Sequence, residues 1–200
     1  MSIAVASRSA IARKSLFVGL LLIAGFLTAC GGPKHMVTME TKPRIAPKPD
    51  KAVLVIVRTT SIGFAVAFNN YLDGKFIGQT QGKCYFITEV TPGTHYVMAN
   101  AENWAAARIK FEANRVYFLH QLVTMGVWKA RTGFSVLSVQ DAMQQINESG
   151  CDYRVYDRKN PAEDMSSKEF EEIKADFEKE VKEDPGRHKD TLEYRGFNKI

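Results

Sequence analysis

From Ala52 onward the chain is patterned as short apolar runs cut by turn residues. "AVLVIV" (52–57) is a β-branched run of strand length and reads as a buried strand. "GFAVAFNNYL" (63–72) alternates Phe64, Val66 and Phe68 with smaller residues and reads as a second strand. Asp73-Gly74 then marks a hairpin turn, since glycine accepts the positive φ such turns need. "KFIGQ" and "KCYFIT" follow as short strands divided by Gly82. Thr91-Pro92-Gly93-Thr94 is another turn, with Pro presetting φ and Gly supplying the left-handed position. "HYVMAN", "AARIKFE", "RVYFLHQLV" and "FSVLSV" continue the pattern. Val116, Phe118 and Leu122 share one face of their strand, and Ile109 and Phe111 share one face of theirs. Short strands with a turn every ten or so residues predict a mainly β protein, a small antiparallel β-sandwich across about residues 52–139.

Helical periodicity appears only late. "QDAMQQINES" reads as a short helix that turns Ala142, Met143 and Ile146 inward and stops at Gly150. Cys151 to Tyr156 adds a last strand. Ser166 with Glu169 is a capping-box pair opening a helix over about 167–183, and Asp184-Pro185-Gly186 closes it. Phe170, Ile173, Phe177 and Val181 fall three and four apart and form one narrow apolar stripe on an otherwise charged helix. Such a stripe needs a surface to cover. It has two destinations: the protein's own sandwich, or a partner helix beyond a flexible link at Asn160-Pro161.

The N-terminus follows a different logic. "LFVGLLLIAGFLTACGG" (16–32) is preceded by Arg8, Arg13 and Lys14 and by no acidic residue. Its apolar core, Leu16 to Leu27, is 12 residues long, against the roughly 20 a membrane-spanning helix needs. A basic flank and a short apolar core form a secretory signal. The ending Leu27-Thr28-Ala29-Cys30-Gly31 resembles the bacterial lipobox. That resemblance implies cleavage before Cys30, removal of residues 1–29 and acylation of Cys30. Two or more acyl chains anchor a protein stably, where one does so only marginally. By resemblance to enterobacterial sorting, Gly31 in place of Asp implies the periplasmic face of the outer membrane.

Removing the leader changes the charge argument. The full chain carries 27 Lys and Arg against 22 Asp and Glu, but three of those cations belong to the leader. The remainder is near +2, with no basic stripe among aromatics, so nucleic acid is not an expected partner. Residues 30–51 include four prolines and five lysines or arginines with no apolar period. They read as a lipid-anchored, semi-rigid tether. The expected organisation is therefore signal peptide 1–29, tether 30–51, sandwich domain 52–157 and charged C-terminal extension 158–200. Cys84 and Cys151 are the only thiols left after Cys30. In an exported protein they read either as a disulfide or as two separate buried cysteines.

"YLDGKFIGQTQG" and "EVTPGTHYVMA" resemble PEGA-type envelope domains and a related domain-of-unknown-function family of bacterial lipoproteins. The resemblance rests on Asp73-Gly74-Lys75, Ile77-Gly78, Pro92-Gly93 with His95, and Tyr117-Phe118, over roughly residues 51–140. The Pro-Glu-Gly signature is absent and Gln81 stands where a proline is usual, so the looser relative fits better. It implies a small β-sandwich on a lipid anchor with no established enzymatic activity. Asp73, Gly74, Pro92, Gly93 and His95 are then turn or binding-loop residues, with His95 positioning its turn through a hydrogen bond.

Catalytic chemistry has little to build on. His35, His95, His120 and His188 do not pair at metal-ligand spacing, and no phosphate-binding glycine loop or Gly-x-Ser-x-Gly is present. No metal or cofactor is expected. Cys84 with His95 or His120 is the one nucleophile–base combination on offer, though Cys84 sits mid-strand. Arg58 reads as a solvated strand end, and Trp104 and Trp128 lie near loops. The expected function is a lipid-anchored cell-envelope binding or assembly module, presenting loops or a sheet edge to an envelope protein or to peptidoglycan. The alternative is a thiol-dependent periplasmic enzyme, a Cys-dependent hydrolase.

Overall fold

Every residue of the run Ala52–Arg58 is buried, because this strand lies inside a sheet covered on both faces. The structure is a computed structural model and describes residues 32–101, 103–125 and 130–200. The leader, Cys30 and Trp128 lie outside the described residues. The strands are β1 (Met36–Met39), β2 (Ala52–Arg58), β3 (Phe68–Leu72), β4 (Lys75–Thr80), β5 (Cys84–Val90), β6 (Gly93–Asn100), β7 (Trp104–Phe111), β8 (Arg115–Met125), β9 (Ala130–Val136) and β10 (Asp152–Tyr156). The helices are α1 (Val139–Glu148), α2 (Ser167–Glu183) and α3 (Lys189–Leu192), with a single 3₁₀ turn over Pro185–His188 between the last two.

The strands form two sheets, ordered β1-β10-β5-β2-β8-β9 and β4-β3-β6-β7. Alternation along β2 divides its side chains between two cores. Leu54 and Ile56 face the smaller sheet and meet Val97, Ile109 and Phe111 across the sandwich. Val53, Val55 and Val57 face outward and are covered by Ala142 and Ile146 of α1. On its far side the smaller sheet is covered by α2. The order of layers is therefore helix, large sheet, small sheet, helix.

Turn chemistry sets the hairpins. Asp73 and Gly74 both take positive φ, 49° and 81°, the geometry of a tight turn matched to strand twist. Ser138 caps α1 and Ser166 caps α2, each accepting from the N–H three residues on. The C-terminal tail fills the slot beside the start of β8 that β9 does not reach: Val116 and Phe197 exchange both backbone hydrogen bonds at 2.8 Å.

The tertiary structure corrects several sequence expectations. The sandwich is not purely antiparallel, since β2 pairs with β8 and β10 with β5 in parallel; strand order depends on contacts far apart in sequence. The second strand begins at Phe68, and residues 62–65 form a turn that leaves Phe64 exposed. The Pro-rich segment is part of the domain: β1 adds to the edge of β10, and Ile45 is buried in the outer core. Asn160 is no flexible link, for its side chain donates to Lys34 O and its carbonyl faces His35 Nδ1. Nor is the C-terminus a detached extension: Tyr194 is buried and its hydroxyl accepts from Phe118 N at 2.9 Å.

Candidate functional site

The edge strands β7 and β9 belong to different sheets, and a cleft of about 490 Å³ opens where they part. Its walls come from Trp104–Ala106 of β7, Thr132–Phe134 of β9, and Ile173, Asp176 and Glu180 of α2. The backbone decides what these walls present. Leu137 N donates to Phe118 O, so in the register Leu119↔Val136 alternation turns the N–H and C=O of Thr132, Phe134 and Val136 away from β8. Ala101 N likewise donates to Asn103 O, which turns the same groups of Ala106 away from β6 in the register Met98↔Ala106.

Asn103 shows what such an edge accepts. Its side chain takes a hydrogen bond from Thr132 N at 2.8 Å and donates to Thr132 O at 3.2 Å, copying one residue of a paired strand. Farther along, α3 packs over the β7 and β9 edges, with Thr191 buried. The stretch between, at Gly133 and Phe134, opens on the cleft. Among the described residues no strand occupies it, and a Cβ on Gly133 would meet nothing nearer than 3.9 Å.

The far wall is charged. Glu180 Oε2 lies 3.5 Å from Arg187 Nη1 and 3.4 Å from His188 Nε2. His188 also stacks edge-on against Phe177, with centroids 4.8 Å apart. Asp176 has no ion-pair partner among the described residues. Trp104, half-buried, leans on Tyr71 at 5.9 Å and supplies an aromatic wall. The arrangement can therefore hold an extended, partly apolar segment by backbone pairing at β9, with Asp176 placed for a cationic group.

The sequence-predicted residues fall elsewhere. Asp73, Gly74, Pro92, Gly93 and His95 gather at the turn end remote from Arg58. His95 joins the two turns, with Nδ1 2.5 Å from Asp73 Oδ2 and Nε2 2.9 Å from Thr91 O. Asp73 Oδ1 accepts from Tyr96 N at 2.9 Å, and Gly74 O accepts from Met165 N at 2.8 Å. These contacts fix the turns and the entry to α2.

The stripe of α2 covers its own sheet. Tyr96 meets Phe170 and Phe177 edge-on, each with centroids 6.2 Å apart. Phe177 is only 4% exposed, and Ile173 and Val181 are half-buried. Arg108 Nη1 grips both oxygens of Glu178, and the Tyr96 hydroxyl donates to the same carboxylate at 2.8 Å. Phe170, Ile173, Phe177 and Val181 are therefore not a free partner-helix face.

The thiols are free and buried, so of the two readings it is the pair of separate buried cysteines, not the Cys84–Cys151 bridge, that the structure shows. In the β5–β10 register Cys84 stands beside Asp152 and Tyr85 beside Tyr153. Alternation places Cys84 on the inner face with Phe86, while Cys151 packs in the outer core with Tyr85. Burial pushes both thiols up, Cys151 to about 11, away from nucleophilic thiolate character. His120 follows Val116 and Phe118 to the outer face, where its Nε2 meets Thr59 Oγ1 at 3.0 Å; His95 is in the other sheet. Neither histidine is brought to Cys84. Among the described residues no three His, Cys, Asp or Glu side chains are grouped to hold a metal ion.

Arg58, expected at a solvated strand end, is fully buried. Its Nη1 donates to Val66 O at 2.9 Å, and its Nη2 to Ile62 O at 3.1 Å and Gly63 O at 2.8 Å. The guanidinium lies 4.5 Å over the Phe68 ring. No carboxylate pairs with it among the described residues, and burial lowers its pKa to about 10. The signal was a charged residue closing an apolar strand, but its partners are main-chain carbonyls, which side-chain identity does not reveal.

Sequence comparison finds similarity to proteins described without an activity. A family described as "Protein of unknown function (DUF2846)" matches residues 48–134, the span from β2 to β9. A Haemophilus influenzae relative, described as an uncharacterized protein, is 26% identical over 141 residues, covering 68% of this chain and 84% of the relative. No solved structure matches the chain. The chain is thus similar, through its central strands, to a family of unknown function, and the similarity to that family leaves out β1, β10 and the C-terminal helices that cover the sandwich.

Proposed function

We propose that this protein is a lipid-anchored cell-envelope binding or assembly module that holds an extended segment of an envelope protein in the cleft between β7 and β9. The observation that carries this reading is the open backbone edge of β9 at Phe134, beside an aromatic wall and Asp176, which has no ion-pair partner among the described residues. The lipobox-like ending at Cys30 behind a short apolar run supports anchoring, and the turn residues around Asp73 and Pro92 support a PEGA-like envelope domain. A protein segment satisfies the strand edge with its own N–H and C=O groups; a peptidoglycan strand has no such repeating backbone. The buried thiols, kept apart from His95 and His120, support a non-enzymatic role.

Photo-crosslinking from the cleft tests this. A photoreactive residue replaces Leu122, an exposed residue of the cleft wall, in the full chain in its native cells. One discrete protein adduct is expected, lost when Phe134→Pro removes the outward-facing β9 N–H at that position. Absence of any adduct, or adducts insensitive to the edge substitution in a protein that still folds, would overturn the reading.

A further inference from the structure

Lys34 is held on both sides of its backbone. Its N–H donates to Gln79 Oε1 at 2.9 Å, and its carbonyl accepts from the Asn160 side chain. One residue on, His35 O accepts from Asp157 N at 2.9 Å, and β1 starts at Met36. The chain after β1 is fixed as well: Lys42 Nζ donates to Ile146 O, Ile45 is buried, and Lys48 O accepts from Asn114 N. The segment 30–51 therefore supplies almost no free tether. Cys30 and Lys34 are four residues apart, which reach at most about 14 Å fully extended.

β1 is an outermost strand of the large sheet. It carries no charge, although edge strands in water are commonly blunted by charged side chains. Val37 is 44% exposed and Met39 42%. Alternation puts both on one face, opposite Val155 and Tyr153 in the register with β10, so four apolar side chains lie together. Tyr156, 36% exposed, ends the same strand pair and leans on Phe76 at 5.5 Å. Charge does not mark this edge, since Lys34, Arg158 and Lys159 share it with Asp157, Glu163 and Asp164.

The short link from Cys30 says what covers the patch. Two or more acyl chains hold Cys30 in the bilayer, and four residues cannot lift β1 far from it. Docking of the edge is then an intramolecular step, for which a few side chains suffice. Tyrosine suits such a place, with its ring in the apolar layer and its hydroxyl in water.

We infer that, given the anchoring through Cys30 proposed above, the β1–β10 edge lies against the headgroup layer of the bilayer and seats Val37, Met39 and Tyr156 there. β9 stands at the other end of the six-strand order, five strand spacings or about 24 Å away. The cleft therefore opens away from the membrane, and its occupant reaches it from the aqueous side.

The test uses the full chain purified from its own cells and placed in vesicles of phosphatidylethanolamine and phosphatidylglycerol. Val37→Cys carries an environment-sensitive fluorophore; Cys84 and Cys151 are buried and leave the label to position 37. A blue-shifted emission quenched by headgroup spin-labelled lipid is expected there, and neither effect with the label at Arg131→Cys, an exposed site on β9. Mass spectrometry of the same sample separates the two readings. Acyl mass on Cys30 with an unshifted, unquenched label at position 37 overturns the inference and leaves the anchor standing. Absence of acyl mass removes the anchor and the inference with it. Equal quenching at positions 37 and 131 overturns the inference too, because the domain then has no fixed face. So does a blue shift that grows with protein concentration in the absence of lipid, which assigns the edge to a second copy. Unchanged circular dichroism verifies folding; should V37C not fold, M39C gives the same readout.

Discussion

Cys84 is paired across the sheet with Asp152, and Cys151, one residue earlier, therefore falls on the opposite face. Proximity in the register brings a disulfide within reach only if both Cβ vectors point the same way. We expect two free thiols. Alkylation in denaturant without reductant should label both residues, and in the native protein neither. Recovery of a peptide joining them would contradict the register.

Arg58 anchors the β2–β3 loop through a fork that lysine lacks. Arg58→Lys should lower unfolding stability by about 2–3 kcal/mol, since it strands carbonyls that are buried with the guanidinium. Arg58→Met should do no better. Chemical denaturation measures both; a change within error would show that the clamp carries no stability.

Burial lowers the pKa of His120 below its ordinary 6.5. The unfolded chain then binds the proton more readily than the folded one. This contribution is fully present above about pH 6.5 and is lost as pH falls through the lowered folded value. Stability should therefore decline on acidification from about pH 7 toward pH 5, and His120→Gln should flatten that decline. Parallel melting curves across this range are the check.

Phe177 joins α2 to the small sheet. Phe177→Ala should cost about 3 kcal/mol and lower the melting temperature of the whole domain. Phe170→Asp with Phe177→Asp should do the same more severely. An unchanged melting temperature would mean that the helix is not part of the folded unit.

Gly196 closes the tail over β8 at φ +63°, and a Cβ there would meet Val116 O and the Tyr117 ring within 2.9 Å. Backbone cannot give way as a side chain can. Gly196→Ala should lose about 2 kcal/mol or more, with Phe197 no longer held beside Val116. Hydrogen exchange at Val116 N–H reports the loss directly.

Several elements could be read along the chain because their causes are local. Asp73-Gly74 makes its turn from positive φ alone, Ser138 and Ser166 cap their helices within one turn, and the β-branched run at 52–58 commits to a strand wherever it is placed. The stripe Phe170, Ile173, Phe177, Val181 likewise declares a helix that must cover something, without saying what. The remaining features depend on groups far apart in sequence. The parallel pairing of β2 with β8, the addition of β1 to β10 and the opposed cysteines are set by which apolar faces bury each other, and alternation alone is indifferent to strand order. Arg58 looked like a strand end because its sequence neighbours are silent about the carbonyls it reaches. The β7–β9 cleft was equally hidden: it is made of main-chain edges, which every residue carries and no residue type marks.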